Sequence, residues 1–314
     1  MTDKDWNSYK QKLEKQGYRF TGSHSAVKIC EWTRKSIVNK GICYKQKFYG
    51  INCHRCAQIS VTANFCDHDC VFCWREHANF PFTEVDEPSE IIDKTIEEQK
   101  QLLIGFKGND IAEMERVNQA FSPKHFAISL TGETLYYPKL SELIKELKNR
   151  NLTSFIVTNG QLPEVLEKLE PPTQLYISLD APNKELYQKV DKPLRKDGWE
   201  RLMKSLEILK KLKGKTRTAL RITLIKGIND INPKQYAELI EKASPNYVEV
   251  KAYMFIGVSR QRLVNENMPE HNEVVEFSKK ICENGNYKLI DEQAISRVTL
   301  LMKEDKKDRI MKFD

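Results

Sequence analysis

The sequence predicts a parallel α/β fold, an incomplete TIM barrel of (β/α)6 type preceded by a cysteine-rich extension. Two observations predict it: short apolar β-type runs alternate with amphipathic helical stretches, and polar residues follow five of those runs. Strands rich in Ile, Val, Leu and Phe, each followed by a helix, are typical of a parallel sheet buried on both faces. In such folds ligands bind at the carboxyl ends of the strands, where these polar residues lie.

The predicted elements fall into three segments. Residues 1–57 form an extension with a helix over residues 6–16 and a loop that carries three cysteines. Residues 58–290 form the barrel, and residues 291–314 form a C-terminal tail. The β-type runs of the barrel are residues 59–62, 125–130, 154–158, 174–179, 220–225 and 247–252. The helical stretches are residues 89–106, 139–149, 162–169, 198–212, 233–242 and 271–283, and residues 287–290 suit one further strand.

Composition indicates a globular chain without a membrane partner. The 314 residues are 40% hydrophobic and 30% charged, enough for a sizeable core beneath a charged surface. The net charge of +7 is compatible with a polyanionic partner but does not establish one. The N-terminus is polar and no apolar run reaches the length of a membrane span, so no signal peptide is expected. We expect a cytoplasmic monomer.

Three closely spaced cysteines predict an iron–sulfur cluster. Cys66, Cys70 and Cys73 stand in Cys-x3-Cys-x2-Cys spacing just after the first β-type run. Thiolates are soft, charged donors that suit iron, and three of them leave one iron of a [4Fe–4S] cluster without a protein ligand. This spacing at the end of a first strand resembles the radical S-adenosylmethionine (SAM) superfamily, in which the open iron binds SAM.

A second group of cysteines precedes this triad. Cys30, Cys43 and Cys56 are expected to be metal ligands, since a chain of this length without a signal peptide keeps its thiols reduced, and two groups of three cysteines leave only Cys53 and Cys282 over. Cys53 is a neighbour without an assigned role, and Cys282 lies in a helical pattern as a core thiol. An alternative stays open, because the two CxxC pairs of this region also suit the four-cysteine zinc ribbon of an RNA-binding protein.

The residues after the second run resemble part of the SAM pocket of that superfamily. Thr131, Gly132 and Glu133 are similar to the Gly-Glu element that receives the methionine ammonium of SAM, although Thr134 stands where the family usually has proline. Glycine permits a close approach of the backbone, and a carboxylate offsets an ammonium held out of water. The resemblance implies a contact between Glu133 and SAM.

Five further polar residues are candidates for contacts with SAM. Thr158 and Asn159 either contact the ribose or form an Asn-Gly turn. Ser178 and Asp180 bracket the end of the fourth run, where the carboxylate either holds ribose hydroxyls or caps the next helix. Arg221 lies within the fifth run, where an unpaired charge would be costly to bury, so we expect it to meet a carboxylate.

From about residue 30 to residue 271 the chain resembles the stand-alone archaeal tRNA 4-demethylwyosine synthases of wybutosine biosynthesis. The resemblance is carried by the spacing of the second cysteine group and by residues 43–50, 70–75 and 249–254. It implies two [4Fe–4S] clusters, SAM and an external one-electron donor. The implied reaction condenses N1-methylguanine, next to the anticodon of phenylalanine tRNA, with pyruvate, two of whose carbons are retained.

Two lysines compete for a role in the pyruvate half of that reaction. Lys45 follows a cysteine of the second group by two residues, where the resemblance favours a Schiff base with the ketone of pyruvate. Lys251 ends the last β-type run and is the competing amine. Otherwise both lysines are contacts for a phosphate or a carboxylate.

The tRNA is expected to contact a basic segment and a few aromatic side chains. The basic side chains of residues 184–204 would line the rim that admits the anticodon loop, although such segments are commonly solvated helix faces. Trp74, Tyr253 and Phe255 are the candidates for stacking on splayed bases. One further alternative is a radical SAM enzyme with another substrate, whose second cluster relays electrons.

Overall fold

The computed structural model describes residues 3–313. Its α-helices are α1 Asp3–Lys15, α2 Glu31–Ile37, α3 Tyr44–Tyr49, α4 Pro88–Leu103, α5 Met114–Ala120, α6 Leu140–Asn149, α7 Pro163–Leu166, α8 Lys184–Val190, α9 Gly198–Leu212, α10 Pro233–Ala243 and α11 His271–Glu283. Its strands are β1 Arg19–Phe20, β2 Ala26–Lys28, β3 Cys56–Ser60, β4 His125–Ile128, β5 Thr153–Thr158, β6 Gln174–Ser178, β7 Arg217–Leu224, β8 Tyr247–Ala252, β9 Lys288–Gln293 and β10 Val298–Met302. Along the chain, each strand from β3 to β8 is followed by a helix.

The chain divides into two compact units. The first contains the described residues up to Cys66, Ala78–Ile156 and the residues from Met311 onward. The second contains Asp67–His77 and Val157–Ile310, so the loop that carries Cys70 and Cys73 folds with the second unit.

The first unit is built on a mixed sheet. Strand β2 pairs antiparallel with β1 and with β3, and β3, β4 and β5 pair parallel in that order. All four residues of β4 are buried, as expected for a parallel strand covered on both faces. Helix α4 packs against β2, β3 and α6, and its apolar stripe includes the buried residues Ile91, Ile92 and Leu103.

The end of the chain returns to α3 within the first unit. The backbone N–H of Met311 donates to the carbonyl of Tyr49 at 2.8 Å, and the ring of Phe313 lies 4.6 Å from the ring of His125. His125 accepts the N–H of Asn52 at its Nε2, 3.1 Å away, while its Nδ1 bonds the hydroxyl of Thr153. These contacts tie the C-terminal residues to the segment between α3 and β3.

The second unit combines parallel and antiparallel strands. Strands β6, β7 and β8 pair parallel, β10 pairs antiparallel with β8, and β9 pairs antiparallel with β10. Helix α9 packs against α7, α10 and β7, and α11 packs against β8 and β10. Within the described residues no helix has both the length and the apolar character needed to cross a bilayer.

The six predicted β-type runs and the six predicted helical stretches all correspond to elements of the structure. Helices α9 and α11 begin and end at the predicted residues, whereas β3 begins at Cys56, three residues before the predicted start. Helices α5 and α8 and strand β10 were not expected, and β10 lies in the segment expected to be a tail. In the N-terminal extension, α2, α3, β1 and β2 occupy parts of the segment expected to be a loop. A short turn that ends at Arg297, with φ of 46°, joins β9 to β10 in place of a helix, so the βα pattern gives no sign of this strand.

Candidate active site

Four cysteines of the first unit lie at the ends of secondary-structure elements. Cys30 precedes α2, Cys43 precedes α3, Cys53 begins a short 3-10 helix, and Cys56 begins β3. The expectation that the first, second and last of these occupy a loop is therefore wrong for Cys56. The four residues, hereafter the four-thiol group, form no disulfide.

The four-thiol group is held by backbone contacts. The Sγ of Cys43 accepts the N–H of Lys45 at 3.4 Å. The Sγ of Cys53 lies 3.5 Å from the backbone nitrogen of Cys43, from which it accepts a hydrogen bond, and 3.8 Å from the carbonyl of Trp32. Cys53 thus supports the backbone at Cys43.

Burial disfavours thiolates in the four-thiol group. It raises the pKa of Cys30, raises that of Cys43 to about 12 and raises that of Cys56 well above its usual value, and repulsion between neighbouring thiolates adds to each shift. A bound cation would reverse that preference. Among the described residues of this unit, no three possible metal-binding atoms of His, Cys, Asp or Glu lie within 4.8 Å of one another. Zn–S bonds near 2.3 Å would place the sulfurs of a zinc site about 3.8 Å apart, so the group suits a larger metal cluster.

Lys45 lies beside the four-thiol group. Its Nζ is 5.4 Å from the centre of the Phe155 ring, and its positive charge lowers the pKa of Cys30, Cys43 and Cys56 against the effect of burial. The competing amine, Lys251, lies on β8 in the second unit, where its Nζ donates to the carbonyl of Ser296 at 2.7 Å. The two lysines therefore occupy different chemical environments.

The loop after β4 is fixed by close backbone contacts within the first unit. Gly132 has φ of 74°, and a Cβ at this position would lie 1.7 Å from the carbonyl oxygen of Thr62, so only glycine fits. The N–H of Glu133 donates to the carbonyl of Phe65 at 2.8 Å, and the Ser60 hydroxyl donates to the carbonyl of Thr131 at 2.6 Å. The carboxylate of Glu133 is buried and accepts the N–H of Leu135.

Thr134 maintains the path of this loop without the proline usual in similar sequences. It begins a short 3-10 helix over Thr134–Tyr136, and its hydroxyl donates to the carbonyl of Ile128. The buried carboxylate of Glu133 is therefore held in a defined position, where it suits a cationic ligand.

The loop Asp67–His77, which carries Cys70 and Cys73 and is hereafter the triad loop, is anchored by side chains from distant parts of the second unit. The Nδ2 of Asn159 donates to the Asp67 carboxylate at 2.7 Å. Arg262 donates to the Asp69 carboxylate at 2.8 Å and to the carbonyl of Cys73 at 2.5 Å. The backbone of the loop also pairs with the end of α8, where the N–H of Val71 donates to the carbonyl of Val190 at 2.8 Å. Sequence reasoning missed Arg262, which no motif distinguishes from other surface arginines.

Thr158, the last residue of β5, and Asn159 form a turn that contacts the triad loop. The Thr158 hydroxyl accepts the N–H of Gly160 at 3.0 Å, and the Asn159 Oδ1 accepts the N–H of Gln161 at 3.1 Å. Of the two interpretations of this pair, the structure supports the turn. Asn159 also has a further task, because its amide group holds Asp67.

Asp180 is buried after β6 and is held by the strand beside it. Its Oδ1 accepts the N–H of Thr223 at 2.5 Å. Burial raises its pKa to about 6, an effect that the bond from Thr223 and the charge of Arg221 partly offset. Ser178 pairs with Arg221 in the β6–β7 register. Asn183, not Asp180, caps α8 through its side chain, so the capping interpretation of Asp180 is wrong.

One group of three possible metal-binding atoms lies within 4.8 Å in the described part of the chain: His68, Cys70 and Asp191. Burial lowers the pKa of His68 to about 4, so its imidazole is neutral at physiological pH. The Sγ of Cys70 lies 3.9 Å from His68 Nδ1 and 3.9 Å from Asp191 Oδ1. The sequence did not identify His68 or Asp191 as neighbours of Cys70.

Several basic side chains expected at a tRNA rim are paired with acids. Lys189 lies 2.7 Å from Glu185, and Arg201 lies 2.9 Å from Asp197. Among the aromatic candidates, Trp74 is 41% exposed. Tyr253 is 1% exposed and bonds Ser259, so its expected role in base stacking is wrong.

Comparison with known proteins gives two family matches that together span most of the chain. The model for the radical SAM superfamily matches residues 60–240, and the model for wyosine base formation matches residues 242–303. Both matches include anchors of the triad loop, Asn159 in the first and Arg262 in the second.

Relatives with named activities cover nearly the whole chain. A protein from Pyrococcus horikoshii, named S-adenosyl-L-methionine-dependent tRNA 4-demethylwyosine synthase, is 46% identical over 302 residues, which cover 93% of this chain and 88% of that protein. A protein of the same name from Methanocaldococcus jannaschii is 41% identical over 304 residues, covering 94% of this chain and 96% of that protein. A solved structure described as TYW1 with a lysine-pyruvate adduct bound is 38% identical, with a TM-score of 0.87 over 99% of each chain.

Proposed function

The chain belongs to the S-adenosyl-L-methionine-dependent tRNA 4-demethylwyosine synthases, a family of radical SAM enzymes, and from this premise we propose how its residues divide the work. It forms 4-demethylwyosine in tRNA with SAM and a [4Fe–4S] cluster. The substrates we propose are phenylalanine tRNA with N1-methylguanine next to the anticodon, and pyruvate. The reaction also needs an external one-electron donor and a reducing compartment such as the cytoplasm, and we propose that the enzyme acts as a monomer.

We propose that Cys66, Cys70 and Cys73 hold the cluster that binds SAM. Their spacing leaves one iron open, and the last two residues are half-buried, free of disulfides and carried by an anchored loop. When bound, this cluster supplies the electron that cleaves SAM to a 5′-deoxyadenosyl radical. The role of the loop is to keep these thiolates in place while the cluster changes charge.

The SAM contacts we propose lie at the ends of β4, β5 and β6 and within β7. The buried carboxylate of Glu133 would pair with the ammonium of SAM, beside the backbone of Thr131 and Gly132. Asp180, which the backbone of Thr223 holds in place, would accept ribose hydroxyls, with Ser178 and Arg221 on the neighbouring strands. The turn at Thr158 and Asn159 would contribute backbone groups, because its side chains are engaged.

We propose that Cys30, Cys43 and Cys56 hold a second [4Fe–4S] cluster. The support is the four-thiol group itself: its thiols form no disulfides, are half-buried apart from the buried Cys53, are spaced too widely for one zinc ion and lie beside a lysine amine. Three cysteine ligands would again leave one iron open, and that iron would offer a binding site for the carboxylate of pyruvate. Cys53 would support the backbone without serving as a ligand.

Lys45 is the amine that we propose forms the Schiff base with pyruvate. Its neutral amine would add to the ketone and, with loss of one water, form a C=N bond. The observation that carries this assignment is the position of Lys45 beside the four-thiol group, where its charge acts on Cys30, Cys43 and Cys56. The similar TYW1 structure with a lysine-pyruvate adduct makes a covalent lysine plausible in this family. Lys251 would instead stabilise the turn between β9 and β10.

Trapping with borohydride tests the assignment. We expect labelled pyruvate to become attached to the protein, to remain attached in Lys251→Ala, and to be lost by more than about tenfold in Lys45→Ala. Lys47→Ala is the matched control, since Lys47 is exposed on the same helix. Label that persists in Lys45→Ala would contradict the proposal. Anaerobic turnover with SAM, pyruvate, reductant and methylated tRNA, followed by mass analysis of nucleosides, tests the substrates.

A further inference from the structure

Four buried residues of the second unit form a chain of hydrogen bonds that ends on a triad cysteine. Gln161 Nε2 lies 2.9 Å from the carbonyl oxygen of Gly198 and 2.8 Å from the Tyr187 hydroxyl. The Tyr187 hydroxyl lies 3.0 Å from His68 Nε2, and His68 Nδ1 lies 3.9 Å from the Sγ of Cys70. Gln161, Tyr187 and His68 are 0%, 1% and 4% exposed.

The bond from Gln161 to the carbonyl of Gly198 determines which atom is the donor in each of the other bonds. A carbonyl only accepts, so the group of Gln161 that faces Gly198 is its NH2, which also donates to the Tyr187 oxygen. The Tyr187 proton is therefore available for His68 Nε2, which accepts it. In a neutral imidazole whose Nε2 accepts, the ring proton is on Nδ1. That N–H faces the sulfur of Cys70.

The sulfur of Cys70 has two polar neighbours, and only one of the two contacts persists when the sulfur binds iron. As a thiol it donates its proton to Asp191 Oδ1 and accepts from His68. As an iron ligand it has no proton to donate, so the contact that persists is the one from the His68 N–H.

We propose that His68 is a positioning residue that donates an N–H···S hydrogen bond to the Cys70 thiolate and thereby raises the reduction potential of the triad cluster. Tyr187 and Gln161 fix the tautomer that makes this donation possible. Hydrogen bonds to ligand sulfurs tune cluster potentials, because a donor stabilises the added negative charge of the reduced form. The inference rests on the proposed role of Cys70 as a cluster ligand.

A redox titration of the reconstituted enzyme, followed by electron paramagnetic resonance, tests the proposal. The triad signal is identified as the one that SAM perturbs. In His68→Leu we expect the ratio of reduced to oxidised cluster at a fixed potential to fall about tenfold, which is about 59 mV for one electron. In His68→Gln, whose amide lies at the position of Nε2, the ratio of reduced to oxidised cluster should fall by a similar factor. In His68→Asn, whose amide places an N–H near the position of Nδ1, most of that ratio should be recovered.

Two further variants are measured in the same titration: Tyr187→Phe tests the tautomer of His68, and His271→Leu is the control. Tyr187→Phe keeps the ring and removes only the hydroxyl that selects the tautomer, so a smaller shift of the same sign is expected even if His68→Leu does not retain iron. His271→Leu removes a histidine of α11 and should leave the potential unchanged. A SAM-perturbed signal whose potential is the same in the wild type, His68→Leu and Tyr187→Phe overturns the inference and leaves the cluster assignment standing. If the wild type has no SAM-perturbed signal, both fail.

Discussion

The four-thiol group and the triad loop present cysteines in two different ways. In the four-thiol group each cysteine lies at the start of a helix or a strand, so the secondary structure itself sets the position of the thiol. In the triad loop, Cys70 and Cys73 lie outside any helix or strand. Their positions depend on side chains of residues that are distant in sequence, such as Asn159 and Arg262.

This difference predicts how each region responds to substitution. If the four-thiol group holds a cluster as proposed, replacing one of its ligands should release that cluster, but the backbone should persist because helices and strands support it. The triad loop has several independent anchors, so the loss of one anchor should lower activity gradually and leave the iron content unchanged.

The largest effect is expected from Cys30→Ala. Loss of one of three ligands should reduce bound iron from about eight to about four atoms per chain, and turnover should fall by more than about 100-fold. Iron analysis and nucleoside mass analysis measure these two quantities. Cys53→Ala is the matched control from the same group and should keep its iron. Full iron content in Cys30→Ala would show that the four-thiol group holds no second cluster.

A smaller effect is expected from Arg262→Gln in the triad loop. The substitution removes the bridge between the Asp69 carboxylate and the Cys73 carbonyl, and we expect SAM cleavage to slow by about tenfold while iron content stays constant. The release of 5′-deoxyadenosine in the absence of tRNA measures this. Arg260→Gln, at an exposed arginine nearby, should cleave SAM at the normal rate. Loss of iron from Arg262→Gln would show instead that this one anchor determines the whole loop.

The smallest effect concerns stability and comes from Asp180. Because burial raises its pKa to about 6, the folded chain holds this proton more tightly than the unfolded chain does. The free energy of unfolding should therefore decrease, by about 2 kcal/mol from this group, as the pH rises from about 4 to about 6. Asp180→Asn should remove that part of the pH dependence in urea denaturation of the metal-free protein. Identical pH profiles for both proteins would contradict the shift.

Local patterns accounted for most of the fold. The family match and the structural similarity confirm the incomplete TIM barrel of radical SAM type, and they exclude the zinc ribbon. Helix α10 begins at the proline that marked its first turn, and α11 begins after Glu270, which forms a capping box with Glu273. Strand β10 was missed because it follows a hairpin turn, and α8 because it is only seven residues long.

The site was less accessible from the sequence, because its chemistry depends on contacts between distant residues. The cysteine spacing and the Gly-Glu pair are local signals, and both could be identified without a structure. The hydrogen-bond chain on Cys70 joins residues 68, 161 and 187, which no spacing rule connects. Burial is equally hard to predict: Tyr253 and Trp74 are both aromatic residues near loops, yet only the second is exposed.

The strap formed by Met311 and Phe313 has a practical consequence. It fastens onto Tyr49 and His125, and therefore onto the short helix that presents Lys45. If Lys45 carries pyruvate as proposed, loss of these contacts would loosen the pyruvate half of catalysis and spare the cleavage of SAM. The protein would then consume SAM without making product, a form of uncoupling that an assay of SAM turnover alone would not detect.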